Sequence, residues 1–375
     1  MKTRIWFLLM LAIVGCKDPF DPPVSSDKVG YLSVDGNINV TTKTATVKLT
    51  RAAPLYSSDL FTYVEDATVS IEDDKGTVYA IPYDSNGFYK LTGVDFDVTK
   101  NYRLRIKQKD GTKYSSTFIQ PQEVPPIDTV WWEPTKDGVA IKLNAKGNET
   151  DPRYYFWKYT ETWEYHSSIP SYLDIVNDMV VTRPADKQIF ICWGTRYSTQ
   201  ILIKSTDGLS QNTVSAFQVN LLPVGTPKLL QKYSILVQQY SLTKEAYQFQ
   251  SELYKTTQNL GGLFDPLPFK VLGNISNDDN PDETVLGFFY GGTVASKRIF
   301  IQYSELPSYL QVNGSPALDC KVVAVPVSSI SSRDKSLVIF GSYGVPVTQG
   351  YLFSSHECVD CTFNGGTNVK PPFWK

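Results

Sequence analysis

From about Gly30 to Ile119, apolar side chains recur at every second position, and this period constrains the fold more than any other feature of the chain. Ala45, Val47 and Leu49 alternate with Thr44, Thr46, Lys48 and Thr50. Ala67, Val69 and Ile71 alternate with Thr68, Ser70 and Glu72, and Tyr102, Leu104 and Ile106 with Arg103, Arg105 and Lys107. Successive side chains of a strand point to opposite faces, so each set buries one face and wets the other. Between the runs lie Asp73-Asp74-Lys75-Gly76, Asp84-Ser85-Asn86-Gly87 and Lys109-Asp110-Gly111, which supply Gly or Asn where a turn needs a positive φ. About seven short strands at this spacing predict a β-sandwich. It ends at Gln120-Pro121-Gln122-Glu123-Val124-Pro125-Pro126, where adjacent prolines cannot donate to a ladder.

The chain is therefore expected to be mainly β. Residues 29–120 form an immunoglobulin-like or prealbumin-like sandwich, residues 121–127 a Pro-rich linker, and residues 128–375 a larger β-rich, sandwich-like domain with loop insertions. In the second domain Tyr155, Trp157, Tyr159, Trp163 and Tyr165 share one parity and would line one face of a strand. That face is either a ligand-facing platform for a glycan, carried by Tyr155, Trp157, Tyr159 and Trp163, or part of a core. The opposite parity, Lys158, Thr160, Thr162 and Glu164, is polar like a solvent face, which favours the core. Periodicity lapses from Ser167 to Thr199 apart from Gln188 to Trp193. One amphipathic helix is expected near residues 243–258, with Thr243 as N-cap and Ala246, Phe249 and Leu253 on its apolar stripe. The closing Phe373-Trp374 is expected to dock on the body, since exposed terminal aromatics would be adhesive.

The first residues give an address. Lys2 and Arg4 precede the apolar run Trp6 to Val14, which is too short to span a bilayer, and Gly15-Cys16 closes it. This is the pattern of a lipoprotein signal peptide over residues 1–15, with Cys16 as the lipidation site. Two or more acyl chains on one cysteine anchor a protein stably. Residues 16–28 then form a charged, proline-stiffened tether.

Cys192, Cys320, Cys358 and Cys361 remain, and four cysteines allow three pairings. Structural disulfides are the favoured reading. A redox role for Cys358-Val-Asp-Cys361 would need a helix that the following Cys361-Thr-Phe-Asn-Gly-Gly cannot propagate. A zinc site using His356 with these two cysteines would need a fourth, distant ligand.

The 36 basic side chains are balanced by 38 acidic ones, which offers no positive field for nucleic acid. The chain has only two histidines, His166 and His356, and neither stands in a nucleophile motif. Asp278, Asp279 and Asp282 offer hard oxygens for calcium but lack EF-hand spacing, so a solvated acidic loop is the simpler reading. No catalytic residue, cofactor or metal is assigned, and a binder is favoured over an enzyme.

Several segments together resemble a known family. Leu242 to Tyr247, Asn259-Leu-Gly-Gly-Leu-Phe-Asp-Pro-Leu-Pro268, Gly273-Asn-Ile-Ser-Asn277, Val285 to Phe289, Glu357 to Cys361, Gly365-Gly-Thr-Asn368 and Pro371 to Trp374 are similar to the Bacteroidota outer-membrane lipoproteins grouped as domain of unknown function 4249. The resemblance implies a lipid-anchored outer-membrane protein, on its periplasmic or surface face, often encoded beside TonB-dependent receptors. It carries no catalytic residues. The expected function is thus a non-catalytic envelope accessory or binding protein whose partner is such a receptor or another envelope protein. The alternatives are a hydrolase acting on envelope glycan or peptidoglycan, and a glycan-binding module.

Overall fold

A computed structural model describes residues 30–53, 61–257, 271, 273–311 and 319–375. The signal segment 1–15, Cys16 with its tether 16–28, and Asn259 to Pro268 of the family-like motif lie outside the described residues. The fold is mainly β, as the alternation requires. The first nine strands are β1 (Leu32–Asn39), β2 (Thr44–Ala52), β3 (Phe61–Tyr63), β4 (Thr68–Asp73), β5 (Val78–Ile81), β6 (Tyr83–Ser85), β7 (Phe88–Thr92), β8 (Tyr102–Lys107) and β9 (Lys113–Ser116). They supply two sheets, β1-β2-β7-β6 with β3 beside β2, and β9-β8-β4-β5. The alternating residues meet between them: Val34, Val47, Leu49, Ile71, Leu104 and Ile106 are all buried.

The following strands are β10 (Ile127–Thr135), β11 (Gly138–Lys146), β12 (Tyr154–His166), β13 (Leu173–Val176), β14 (Met179–Thr182), β15 (Ile191–Tyr197), β16 (Leu202–Ser205), β17 (Thr213–Pro223) and β18 (Lys232–Ser241). Helix α1 (Lys244–Thr257) comes next, with the Ala246 N–H donating to Thr243 Oγ1 at 3.2 Å, the capping bond the sequence calls for.

The chain then crosses back. β19 (Ile275–Asn277) pairs with β9, and β20 (Leu286–Gly292) pairs in parallel with β1, so both strands complete sheets of the N-terminal sandwich. The expectation that everything beyond residue 128 forms a separate domain is corrected here. The physical reason lies in β20 itself. Phe289 enters the sandwich core, while Phe288 and Tyr290, of opposite parity, pack with Phe156, Tyr240 and Leu242 beside α1. A strand with aromatics on both faces is stable only between two cores. Asn274 fixes it by imitating a backbone amide: its side chain donates to the Phe289 carbonyl and accepts the Phe289 N–H, each at 2.8 Å.

The remaining strands are β21 (Ala295–Gln302), β22 (Val323–Pro326), β23 (Leu337–Tyr343) and β24 (Gly350–Ser355), followed by the short helix α2 (His356–Val359). β21 joins the sheet β15-β12-β18-β21, with β16 also on β12. β10-β11-β17 lies across it, and β22-β24-β23 stands apart as a small sheet. Ile141, Leu143, Trp157, Val219, Ile235 and Val237 belong to one buried cluster that fills the space between the two larger sheets. At the linker, the buried Gln239 accepts the Trp157 indole N–H at 2.9 Å and donates to the Pro125 carbonyl at 2.8 Å.

The aromatic platform is also corrected. Tyr155 and Trp157 are 0% exposed and Tyr159 is 7%, so their face of β12 is core and unavailable to a glycan. The opposite parity is not the solvent face the sequence suggests either, because Phe156 is buried beneath α1 and Thr162 is 1% exposed.

Candidate functional site

Of the four aromatics, Trp163 lines a cavity. β12 pairs with β15 from Thr160 onward and becomes partly exposed from Trp163, which lies opposite Gly194, with Tyr165 opposite Cys192. Trp163, Tyr165, His166, Phe190 and Tyr303 line a cleft of about 700 Å³, closed on another side by Glu357 and the Asn364-Gly365-Gly366 turn. This volume falls in the range of small-molecule and short-segment sites.

Two glycines let the walls close. A Cβ on Gly194 would stand 2.5 Å from the Trp163 ring, and one on Gly366 2.3 Å from the Tyr165 hydroxyl. The indole is also partnered by Lys228, whose ammonium lies 5.0 Å from the ring centroid.

The far wall is held by cross-links. Cys192 is bonded to Cys361 and Cys320 to Cys358, each with Cα atoms 5.8 Å apart, in the ordinary disulfide range. The two cysteines of Cys358-Val-Asp-Cys361 therefore bond to distant partners rather than to each other, which replaces the redox reading. With both sulfurs in disulfides, the zinc set with His356 does not form, and His356 stacks on Phe363 at 5.1 Å. Backbone bonds reinforce the wall: Cys361 N–H to Ile189 O at 2.8 Å, Ile169 N–H to Cys358 O at 2.9 Å, and Trp193 N–H to Thr367 O at 2.8 Å.

Several polar groups of the cleft are committed to its own structure. Tyr165 donates to the Cys361 carbonyl at 2.8 Å, and burial pushes its hydroxyl above the usual tyrosine range. Glu164 Oε1 lies 3.0 Å from His166 Nε2, and Glu164 Oε2 accepts the Trp374 indole N–H at 3.1 Å. The hydrogen bond from His166 is the main influence holding the Glu164 carboxyl below its usual range, with Trp374 adding to it against the effect of burial. Ser167 Oγ donates to the Ile169 carbonyl at 3.0 Å rather than to the imidazole. Trp374, 5% exposed, packs edge-on against Trp193 and Phe300, which is the docked tail expected from the sequence.

The acidic loop is knit internally. Asn277 Oδ1 accepts the N–H groups of Asp279 and Asn280 at 2.9 and 3.1 Å, and Ser115 donates to Asp278 at 3.0 Å. Among the described residues no group of three or more His, Cys, Asp or Glu, including Asp278, Asp279 and Asp282, is placed to hold a metal ion. Likewise, no described helix is long and apolar enough to cross a membrane.

Sequence reasoning missed the cleft because it joins segments nearly 200 residues apart, and its polar tie, Tyr165 to Cys361, spans 196 positions. The one available signal was the break of β12 from aromatic core residues to the Glu164-Tyr165-His166 end. A family model described as "Domain of unknown function (DUF4249)" matches residues 17–298. None of the curated proteins compared with the chain matches it.

Proposed function

The chain belongs to the DUF4249 family, and from that membership we propose that it is a non-catalytic, lipid-anchored binding protein of the cell envelope. Cys16 would carry the lipid and residues 16–28 the tether. The outer membrane would be its location and a TonB-dependent receptor or another envelope complex its partner. The cleft around Trp163 would hold a segment of that partner or the ligand the two share.

One observation carries the reading. Three polar side chains of the cleft are bonded within its walls, His166 to Glu164, Tyr165 to the Cys361 carbonyl and Ser167 to the Ile169 carbonyl. What the cleft offers an occupant is fixed shape and aromatic surface, which suits holding rather than reacting. The disulfide behind the wall supports this, since it keeps the cleft formed before anything binds.

The test is affinity capture of the full-length lipidated protein from gently solubilised outer membranes. Recovery with a stoichiometric receptor or envelope complex is expected; recovery of the protein alone would overturn the partnership. The anchor is tested separately: Cys16→Ala should move the protein from the membrane to the soluble fraction, and retention in the membrane would overturn the lipid assignment.

A further inference from the structure

A second cavity, of about 560 Å³, opens where the outer face of the sandwich meets β12 and α1. Its walls are chiefly apolar: Val34, Phe156, Phe249, Leu253, Leu286 and Phe288. One cation stands in it. Lys158 Nζ bonds to the Tyr290 hydroxyl at 3.1 Å and lies 5.4 Å from the Phe156 ring centroid and 5.9 Å from that of Tyr290. Among the described residues no carboxylate comes within ion-pairing distance of it.

An ammonium has three donors, and among the described residues a single neutral acceptor takes one of them. Taking a charge out of water costs several kcal/mol unless a counter-charge is near, so an under-paired cation in an apolar cleft favours an anionic occupant. Asp35 also lines the cavity, but it is exposed and lies opposite Lys48 in the β1–β2 register. Among the described residues the lining carries this one carboxylate and the one ammonium, and because the carboxylate is solvated and out of ion-pairing reach, no direct counter-ion meets Lys158. Tyr290 and, to a smaller extent, Asp35 shift the Lys158 ammonium above the usual lysine range although burial opposes it.

We propose that this cavity is a binding site for a small monoanionic amphiphile, a carboxylate on an apolar body, with the carboxylate on Lys158 Nζ and the body against Phe156, Phe249 and Phe288. The site lies apart from the Trp163 cleft and does not depend on the function proposed for it. Medium-chain fatty acids have this chemistry, and the volume suits one molecule.

Titration calorimetry on the mature protein with decanoate and with decanol tests the proposal. Decanoate should bind saturably and at least tenfold more tightly than the alcohol of equal length. Lys158→Met should bind both alike. Equal binding of acid and alcohol to the unaltered protein, binding of neither, or a preference that survives in Lys158→Met would overturn it. If Lys158→Met does not fold, Tyr290→Phe replaces it. That change removes the acceptor competing for the ammonium, so the preference for the acid should persist or grow, and its loss would equally overturn the site.

Discussion

Tyr165 sits opposite Cys192 in the β12–β15 register and donates its hydroxyl to the carbonyl of Cys361, the residue to which Cys192 is disulfide-bonded. A strand pair, a covalent bond and a hydrogen bond thus close one ring between the second sheet and the C-terminal segment. That ring forms the back of the Trp163 cleft.

The Cys192–Cys361 bond closes 169 residues of chain and the Cys320–Cys358 bond 38. Chain-entropy reasoning gives about 5 kcal/mol for a loop of the first size and about 4 for the second. Removing Cys192–Cys361 by a double alanine substitution should therefore lower stability more than removing Cys320–Cys358, and should also weaken partner capture, because the cleft wall is freed. Urea unfolding of the two variants measures the first effect. Equal loss in both would show that loop length does not govern their contributions. Peptide mapping without reductant should recover Cys192 with Cys361 and Cys320 with Cys358.

β20 makes the two halves one cooperative unit. A fragment of residues 30–127 would lack β19 and β20, leaving β1 without the partner it has from Ser33 to Asn39 and the core without Ile275, Val285 and Phe289. It should be unfolded or aggregation-prone, since an exposed edge over an open core invites pairing with other chains. In the whole protein, Phe289→Ala should cost about 3–5 kcal/mol and still give a single transition seen by both near-ultraviolet and far-ultraviolet circular dichroism. Two separated transitions would refute the coupling.

How much of this was legible follows from the range over which each signal acts. Alternation at Ala45, Val47 and Leu49, the turn at Asp73 to Gly76 and the cap at Thr243 are local, and all stand in the structure. The return of Leu286–Gly292 to β1 was illegible, because a parallel neighbour more than 240 residues away leaves no local trace beyond aromatics on both parities. The same holds for the four cysteines, whose partners are set by where β15 meets the turn after α2, for Cys192 and Cys361, and where α2 meets the segment at Cys320, for Cys358. Tyr155 and Trp163 share a parity yet differ in role, since β12 outruns the sheet β10-β11-β17 that covers its first half.

Glu161 is 3% exposed on β12 and accepts from the Tyr233 hydroxyl at 2.8 Å, Asn220 Nδ2 at 3.0 Å and the Lys228 ammonium at 2.6 Å. Burial, reinforced by the Glu161 charge, drives the Tyr233 hydroxyl well above the usual tyrosine range. Glu161→Ala should destabilise by about 3–5 kcal/mol, because it strands the Lys228 charge and two further donors. The double change Glu161→Leu with Lys228→Met should recover much of that loss, since a buried pair is often replaceable by apolar groups. Denaturant curves for both variants decide it. A double variant no more stable than the single one would mean that the network specifies packing the apolar pair cannot supply.

Acid should act on the N-terminal sandwich through Asp73, 1% exposed at the β4–β5 turn. Burial pushes its carboxyl up, but the Thr77 N–H at 2.8 Å, the Lys100 ammonium at 3.1 Å and the Lys75 N–H at 3.1 Å outweigh it and hold the group at about 2 against an ordinary 3.8. A carboxyl depressed in the folded state contributes stability above its unfolded value and loses it as the pH falls toward the folded one. The contribution of Asp73 is therefore complete above about pH 4, fades between about pH 4 and about pH 2, and is gone below that. Asp73→Asn lacks it at every pH. Melting temperatures of the two proteins should accordingly differ most near neutrality and converge as the pH is lowered through this window. A gap that stays constant across it would mean that the Asp73 carboxylate is not what these donors stabilise.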